Sequence, residues 1–161
     1  MTVLSLMGNG GAVWIETAVL LLFFRKTRRA GVAMLLALAA GYVIGNLCIK
    51  ELVMRPRPFV THSDLTALLD PGDPWSFPSG HATAAFAAFG ALLFSKGPKP
   101  LVIVVGIGAV LMALTRLYCY VHYPTDVLAG TIVGLLAGFA AAKIVEAASR
   151  KLQERRSQSH I

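Results

Sequence analysis

Residues 30–49 read AGVAMLLALAAGYVIGNLCI, twenty positions without a charge. A helix of that length crosses the roughly 30 Å hydrocarbon core of a bilayer. Two further uncharged runs, 101–115 and 127–142, are shorter and can be extended at their ends. The chain has 161 residues, of which 56% are hydrophobic and only 14% charged. That composition excludes an ordinary soluble domain. The expected fold class is an all-α integral membrane protein: a single domain over 1–161, with a bundle of about five transmembrane helices and an additional short N-terminal segment.

Outward from that run, the boundaries are marked by charge and by proline. Arg25-Lys26-Thr27-Arg28-Arg29 precedes it, so a first helix is expected over 12–24, after the breaker Gly8-Asn9-Gly10-Gly11. Trp14 reads there as an interface anchor. Glu16 reads as a carboxylate reaching the interface, the alternative being an intramembrane acid. The second helix is expected over 30–54, where Arg55-Pro56-Arg57-Pro58 stops it. A polar loop follows over 59–77, in which His62, Asp64, Asp70 and Asp73 read as solvated. A third helix is expected over 79–95, a fourth over 101–119 and a fifth over 126–147. Residues 149–161 read as a basic cytoplasmic tail with frayed structure. The N-terminus lacks the basic flank of a cleavable signal, so Met1 onward is expected to remain. Cys48 and Cys119 lie in apolar context and read as free thiols.

The net charge of +7 raises the question of nucleic acid, but the distribution of the charges answers it differently. Five helices place Arg25, Lys26, Arg28, Arg29, Lys96, Lys99, Lys143, Arg150, Lys151, Arg155 and Arg156 on one side. By the positive-inside rule that side is cytoplasmic. Lys50, Arg55, Arg57 and Arg116 are left on the outer side, against the bias, and cations kept there need another reason.

One reason stands at 75–83, Trp-Ser-Phe-Pro-Ser-Gly-His-Ala-Thr. Pro78 ends a loop, Ser79 is an N-cap candidate and Gly80 lets a ligand approach the backbone. A helix opening here aims free N–H groups and the positive end of its dipole at one point, an anion site. His81 stands in the first turn, able to protonate a leaving oxygen. A capped helix with an incidental histidine is the plainer reading of this stretch alone. On the same side, His122 and Asp126 are four residues apart across Pro124 and share a face if the turn is helical. Asp126 would then accept the Nδ1 proton of His122 and leave Nε2 bare as a nucleophile, the base–orienter logic of a triad moved to phosphorus. Lys50, Arg57 and Arg116, converging with that helix start, describe a seat for a doubly charged phosphate. Each of these residues also has a structural reading: Lys50 as a snorkelling side chain, Arg55 and Arg57 as loop cations, Arg116 as a headgroup anchor, His122 and Asp126 as a cap and its partner. The histidine and carboxylate spacings match no metal motif.

Taken together, three spaced blocks resemble the signature of the type 2 phosphatidic acid phosphatase superfamily. They are Lys50 with Arg57-Pro58 after six residues, Pro78-Ser79-Gly80-His81, and Arg116 followed after five residues by His122 and after three more by Asp126. That family includes bacterial membrane lipid phosphatases and is related to the vanadium haloperoxidases. Thr115 stands where many members carry serine before the arginine. The resemblance covers nearly the whole chain. It implies that His122 attacks phosphorus, that Asp126 orients His122 and that His81 protonates the leaving oxygen and then activates water. Lys50, Arg57, Ser79, the Gly80 amide and Arg116 would bind the phosphate, with no metal and no cofactor. The function so implied is a metal-independent hydrolase of a lipid phosphate or diphosphate in the bilayer, with its site on the extracytoplasmic side and its C-terminus in the cytoplasm. Undecaprenyl diphosphate is weakly favoured; phosphatidic acid and phosphatidylglycerol phosphate, a role in phospholipid metabolism, are the alternatives. A phospholipid-binding or anion-transport membrane protein is the reading of another class. Binding alone needs cations, not a nucleophile and its orienter, and nucleic acid is not an expected partner.

Overall fold

A computed structural model of the chain describes residues 11–62, 67–68 and 71–158. Among these the structure is helical. The elements are α1 (Ala12–Leu22), α2 (Arg28–Val53), the single turn α3 (Pro58–Thr61), α4 (Gly80–Phe94), α5 (Lys99–Tyr118) and α6 (Pro124–Gln158). Within α2, Val43–Ile49 winds as a π-helix. Asp64, Asp70 and the segment before Gly11 lie outside the described residues.

Three of the helices, α2, α5 and α6, are long and apolar enough to cross a membrane; α1 and α4 are shorter. The fifteen residues of α4 span only about 22 Å. It is the centre of the bundle, packed against α6, α2 and α5. Ala82, Ala85, Ala87, Ala88 and Ala91 on it are fully buried. The outer faces carry large apolar side chains, such as Ile103, Ile107 and Leu114 on α5 and Leu128, Ile132 and Leu136 on α6. This is the belt that lipid requires.

The approach of α4 to α6 is set by glycine. A Cβ on Gly130 would stand 2.6 Å from the Ser79 carbonyl oxygen, one on Gly134 2.5 Å from that of Thr83, and one on Gly138 2.6 Å from the Ala91 nitrogen. Small residues at every fourth position let the two backbones touch, the usual device where lipid offers no hydrophobic drive between helices.

Two expectations need correction. Trp14 is not an interface anchor: it is buried in the core, its ring held against the space left by Gly108 on α5. The tail does not fray after 147. Helix α6 continues to Gln158, because 143–158 is built from good helix formers without glycine or proline, and Lys143 pairs with Glu146 at 3.3 Å.

Candidate active site

The site is assembled by two polar loops zipped together over the helix ends. Pro56 and Trp75 form an antiparallel bridge, and the Ser76 N–H donates to the Arg55 carbonyl at 2.8 Å. Ser79 caps α4, its hydroxyl oxygen accepting from the Ala82 N–H at 3.4 Å, while its own N–H donates to the Asp126 carbonyl at 3.0 Å. The starts of α4 and α6 are thereby fixed side by side. This brings His81 into one cavity with His122, Lys50, Arg57, Arg116 and Gly80.

His122 is buried, and its orientation differs from the expected one. Nδ1 lies 2.8 Å from the Ser76 carbonyl oxygen and 3.7 Å from Asp126 Oδ2. A carbonyl only accepts, so Nδ1 carries the proton and Nε2 presents its lone pair. Arg57 Nη1 stands 3.4 Å from that Nε2. Asp126 is fully buried and turned toward other donors: the Tyr123 N–H at 2.9 Å and Arg55 Nη1 at 2.8 Å. Burial pushes the His122 pKa down; Asp126 and the Ser76 carbonyl pull it up, the Arg57 charge adds to the lowering, and the net direction is down. The imidazole is therefore mainly neutral at neutral pH. His81 Nε2 is buried and has no hydrogen-bond partner among the described residues.

The cations are ordered by different partners. Lys50, Arg57 and Arg116 are all less than a tenth exposed. Arg57 spends Nε on the Asp73 carbonyl at 2.9 Å and Nη1 on the Val121 carbonyl at 2.8 Å, which ties it to the loop that carries His122. Arg116 places Nε and Nη2 each 3.3 Å from the Thr115 hydroxyl, which donates in turn to the Met112 carbonyl at 2.7 Å. Threonine at 115 thus still supplies a hydroxyl at the arginine.

Two residues read from sequence as ordinary are not. Asp73, expected to be solvated, bridges Lys50 Nζ at 3.1 Å and Arg57 Nη2 at 2.9 Å. Arg55, expected to be a loop cation, holds Asp126 and stacks 3.8 Å over the Tyr123 ring. Asn46 was not singled out at all. It lies on the π-helical stretch of α2, lines the cavity, and its amide is so close to Gly80 that a Cβ there would meet it at 2.9 Å. A lone polar residue inside the uncharged run was the signal that could have found it. Cys48 and Cys119 are free thiols. Among the described residues no three His, Cys, Asp or Glu side chains stand close enough to hold a metal ion.

The cavity has a volume of about 520 Å³. One end is the polar cluster; the other runs between α1, α2 and α4 past Trp14, Ile15, Leu35 and Leu38. It therefore joins a cationic head to an apolar channel.

The chain is similar to known proteins in both sequence and fold. Residues 30–150 match the PAP2 superfamily. The undecaprenyl-diphosphatase of Sulfolobus acidocaldarius is 35% identical over 133 residues, covering 82% of this chain and 63% of that protein. Phosphatidylglycerophosphatase B of Bacillus subtilis is 35% identical over 126 residues, covering 73% of this chain and 58% of that protein. The chain thus spans less than two thirds of the length of either relative. Among solved structures, LpxE of Aquifex aeolicus superposes with a TM-score of 0.74 at 29% identity, over 88% of this chain and 82% of that one. The matched span contains all three motif blocks and the helices that carry them, so this multi-pass membrane protein belongs to the PAP2 superfamily.

Proposed function

We propose that the chain hydrolyses a lipid phosphate or diphosphate, without a metal, through a phosphohistidine at His122. The observation that carries this reading is the cavity itself: three buried cations and two histidines at one end, apolar helix faces at the other. A phosphate fits the first and a lipid chain the second. In the first step His122 Nε2 bonds to the terminal phosphorus as its bond to the leaving oxygen breaks (the lipid oxygen of a monophosphate, the bridging oxygen of a diphosphate), and His81 gives that oxygen a proton. In the second, His81 takes a proton from water, whose oxygen bonds to phosphorus and frees His122 and inorganic phosphate. Lys50, Arg57 and Arg116, with the Ser79 hydroxyl and the Gly80 N–H at the start of α4, hold the phosphoryl oxygens as charge builds on them. Asp126 supports the imidazolium charge from 3.7 Å, and the Ser76 carbonyl keeps the tautomer. Undecaprenyl diphosphate is the favoured substrate, in line with the named activity of the Sulfolobus relative; phosphatidylglycerol phosphate, in line with that of the Bacillus relative, is next. The charge asymmetry of the loops supports an extracytoplasmic site and a cytoplasmic C-terminus.

The test is phosphate release by the detergent-purified chain from undecaprenyl diphosphate, phosphatidylglycerol phosphate and phosphatidic acid. The expected result is turnover of at least one, lost in His122→Ala, with an acid-labile phosphoryl label on the wild type. Turnover in His122→Ala equal to wild type would sink the phosphohistidine.

A further inference from the structure

Asp73 occupies the seat that the proposed reading gives to the substrate. Its two carboxylate oxygens are divided between Lys50 Nζ and Arg57 Nη2, at 3.1 and 2.9 Å, in the same cavity as His81 and His122. The pose is braced: Oδ1 also accepts the Trp75 N–H at 3.1 Å, and the Asp73 carbonyl accepts from Arg57 Nε. A carboxylate bridging a lysine and an arginine satisfies the donors that two oxygens of a phosphoryl group would satisfy.

The energetics favour exchange over a permanent bond. Buried cations with no counter-charge are costly, so Lys50 and Arg57 call for an anion between them. Asp73 supplies one negative charge between Lys50 and Arg57, whereas a phosphate brings up to two. Its side chain is 42% exposed, while those of Lys50 and Arg57 are nearly inaccessible. The carboxylate is thus the partner that can swing into water at small desolvation cost, leaving the cations in place. Burial pushes the Asp73 pKa up, but Lys50 and Arg57 outweigh it and hold the carboxyl below its usual value, so the group is anionic at neutral pH.

We propose that Asp73 is the built-in counter-anion of the phosphate seat, displaced by the phosphoryl group of the substrate and returning as inorganic phosphate leaves. It thereby sets the affinity for phosphate. This rests on the reading of Lys50 and Arg57 as phosphate ligands, but not on turnover. The alternative is a positioning residue whose loss lets the two cations drift.

The two differ in sign. Binding of inorganic phosphate to the detergent-purified full chain is measured by titration calorimetry at fixed ionic strength, for wild type, Asp73→Asn and Asp73→Ser. Removing a competing charge about 3 Å from the donors should tighten phosphate by roughly tenfold or more. KM for a lipid phosphate should fall in parallel. Unchanged or weaker phosphate binding in whichever variant keeps a cooperative thermal transition overturns the proposal, as does absence of phosphate binding by all three proteins. Because calorimetry needs no hydrolysis, a wild type that binds phosphate but turns over no lipid would count against the proposed activity while the Asp73 comparison still decides.

Discussion

Arg55 Nη1 lies 2.8 Å from Asp126 Oδ1, and the Arg55 guanidinium stacks 3.8 Å above the Tyr123 ring. Asp126 is fully buried, and with Oδ2 on the Tyr123 N–H its carboxylate is clamped from two sides before it faces His122. If Asp126 supports His122 as proposed, Arg55 is a positioning residue that acts on His122 through Asp126. Arg55→Ala should cost about 1.5–3 kcal/mol, the scale of a hydrogen bond to a charged group, or roughly 10–100-fold in kcat/KM. Arg55→Lys should restore part of this, since lysine keeps the charge but not the planar fork or the stacking. A purely structural role would show as lost thermal stability with kcat/KM unchanged in the folded fraction.

The environment of His122 makes a claim about pH. Burial and the Arg57 charge lower its pKa from the ordinary 6.5, against the pull of Asp126. A lowered pKa means that the neutral, nucleophilic form persists to lower pH. The acid limb of kcat/KM should therefore bend below pH 6.5. In Arg57→Gln, with one lowering charge gone, it should move up. A limb that stays in place in that variant would detach it from His122.

How much of this was legible depends on where each residue's partner sits. The end of α2, the start of α4, the end of α5 and the start of α6 were legible because an apolar run broken by Arg-Pro-Arg-Pro or opened by Pro-Ser-Gly is a local signal. Helix ends on one side then gather Lys50, His81, Arg116 and His122 with no knowledge of contacts. Arg55 and Asp73 were not legible, because their roles arise from loop pairing across 71 and 23 residues, respectively. Nothing local distinguishes such side chains from solvated ones. The tautomer of His122 also depends on a distant backbone group, the Ser76 carbonyl, 46 residues away. Trp14 was misread because the pocket that buries it is an absence, the missing side chain of Gly108.

The glycine stripe of α6 is the mechanical basis of the site. An added methyl at Gly134 would stand 2.5 Å from the Thr83 oxygen and 2.8 Å from the Ala87 nitrogen, both backbone atoms that cannot step aside. Gly134→Ala should force α4 and α6 apart and destabilise the bundle by about 1–3 kcal/mol. A lowered thermal midpoint in detergent is the readout. The same change at Gly72, which has nothing within 4 Å of its Cβ position but a positive φ of 73°, should act only through local backbone strain.

If the cations carry the charge of the transition state, chelation should leave activity intact while truncation should not. EDTA treatment is expected to have no effect on phosphate release. Arg116→Ala should cost about 3–4 kcal/mol, roughly 10²–10³ in kcat, the scale for a lost oxyanion donor. A metal requirement that survives repeated purification would contradict the assignment.

The last prediction concerns the side of the membrane on which the chemistry occurs. Lys50 closes α2, Gly80 and His81 open α4, Arg116 stands in the last turn of α5 and Asp126 in the first turn of α6. With α1 running inward, all these ends face outward, and the turns holding Arg25, Lys26, Lys96 and Lys99 face the cytoplasm, as the insertion bias demands. Val60, on the short turn α3 beside the site, is 63% exposed, and Pro98, in the turn between α4 and α5, is exposed as well. With Cys48 and Cys119 first replaced by alanine, a membrane-impermeant thiol reagent applied to intact cells should label Val60→Cys and spare Pro98→Cys. Permeabilisation should then expose the second. The reverse pattern would invert the topology. It would also move the substrate from the outer leaflet, where a headgroup enters the cationic end while its chain stays in the α1–α2–α4 channel, to the inner one.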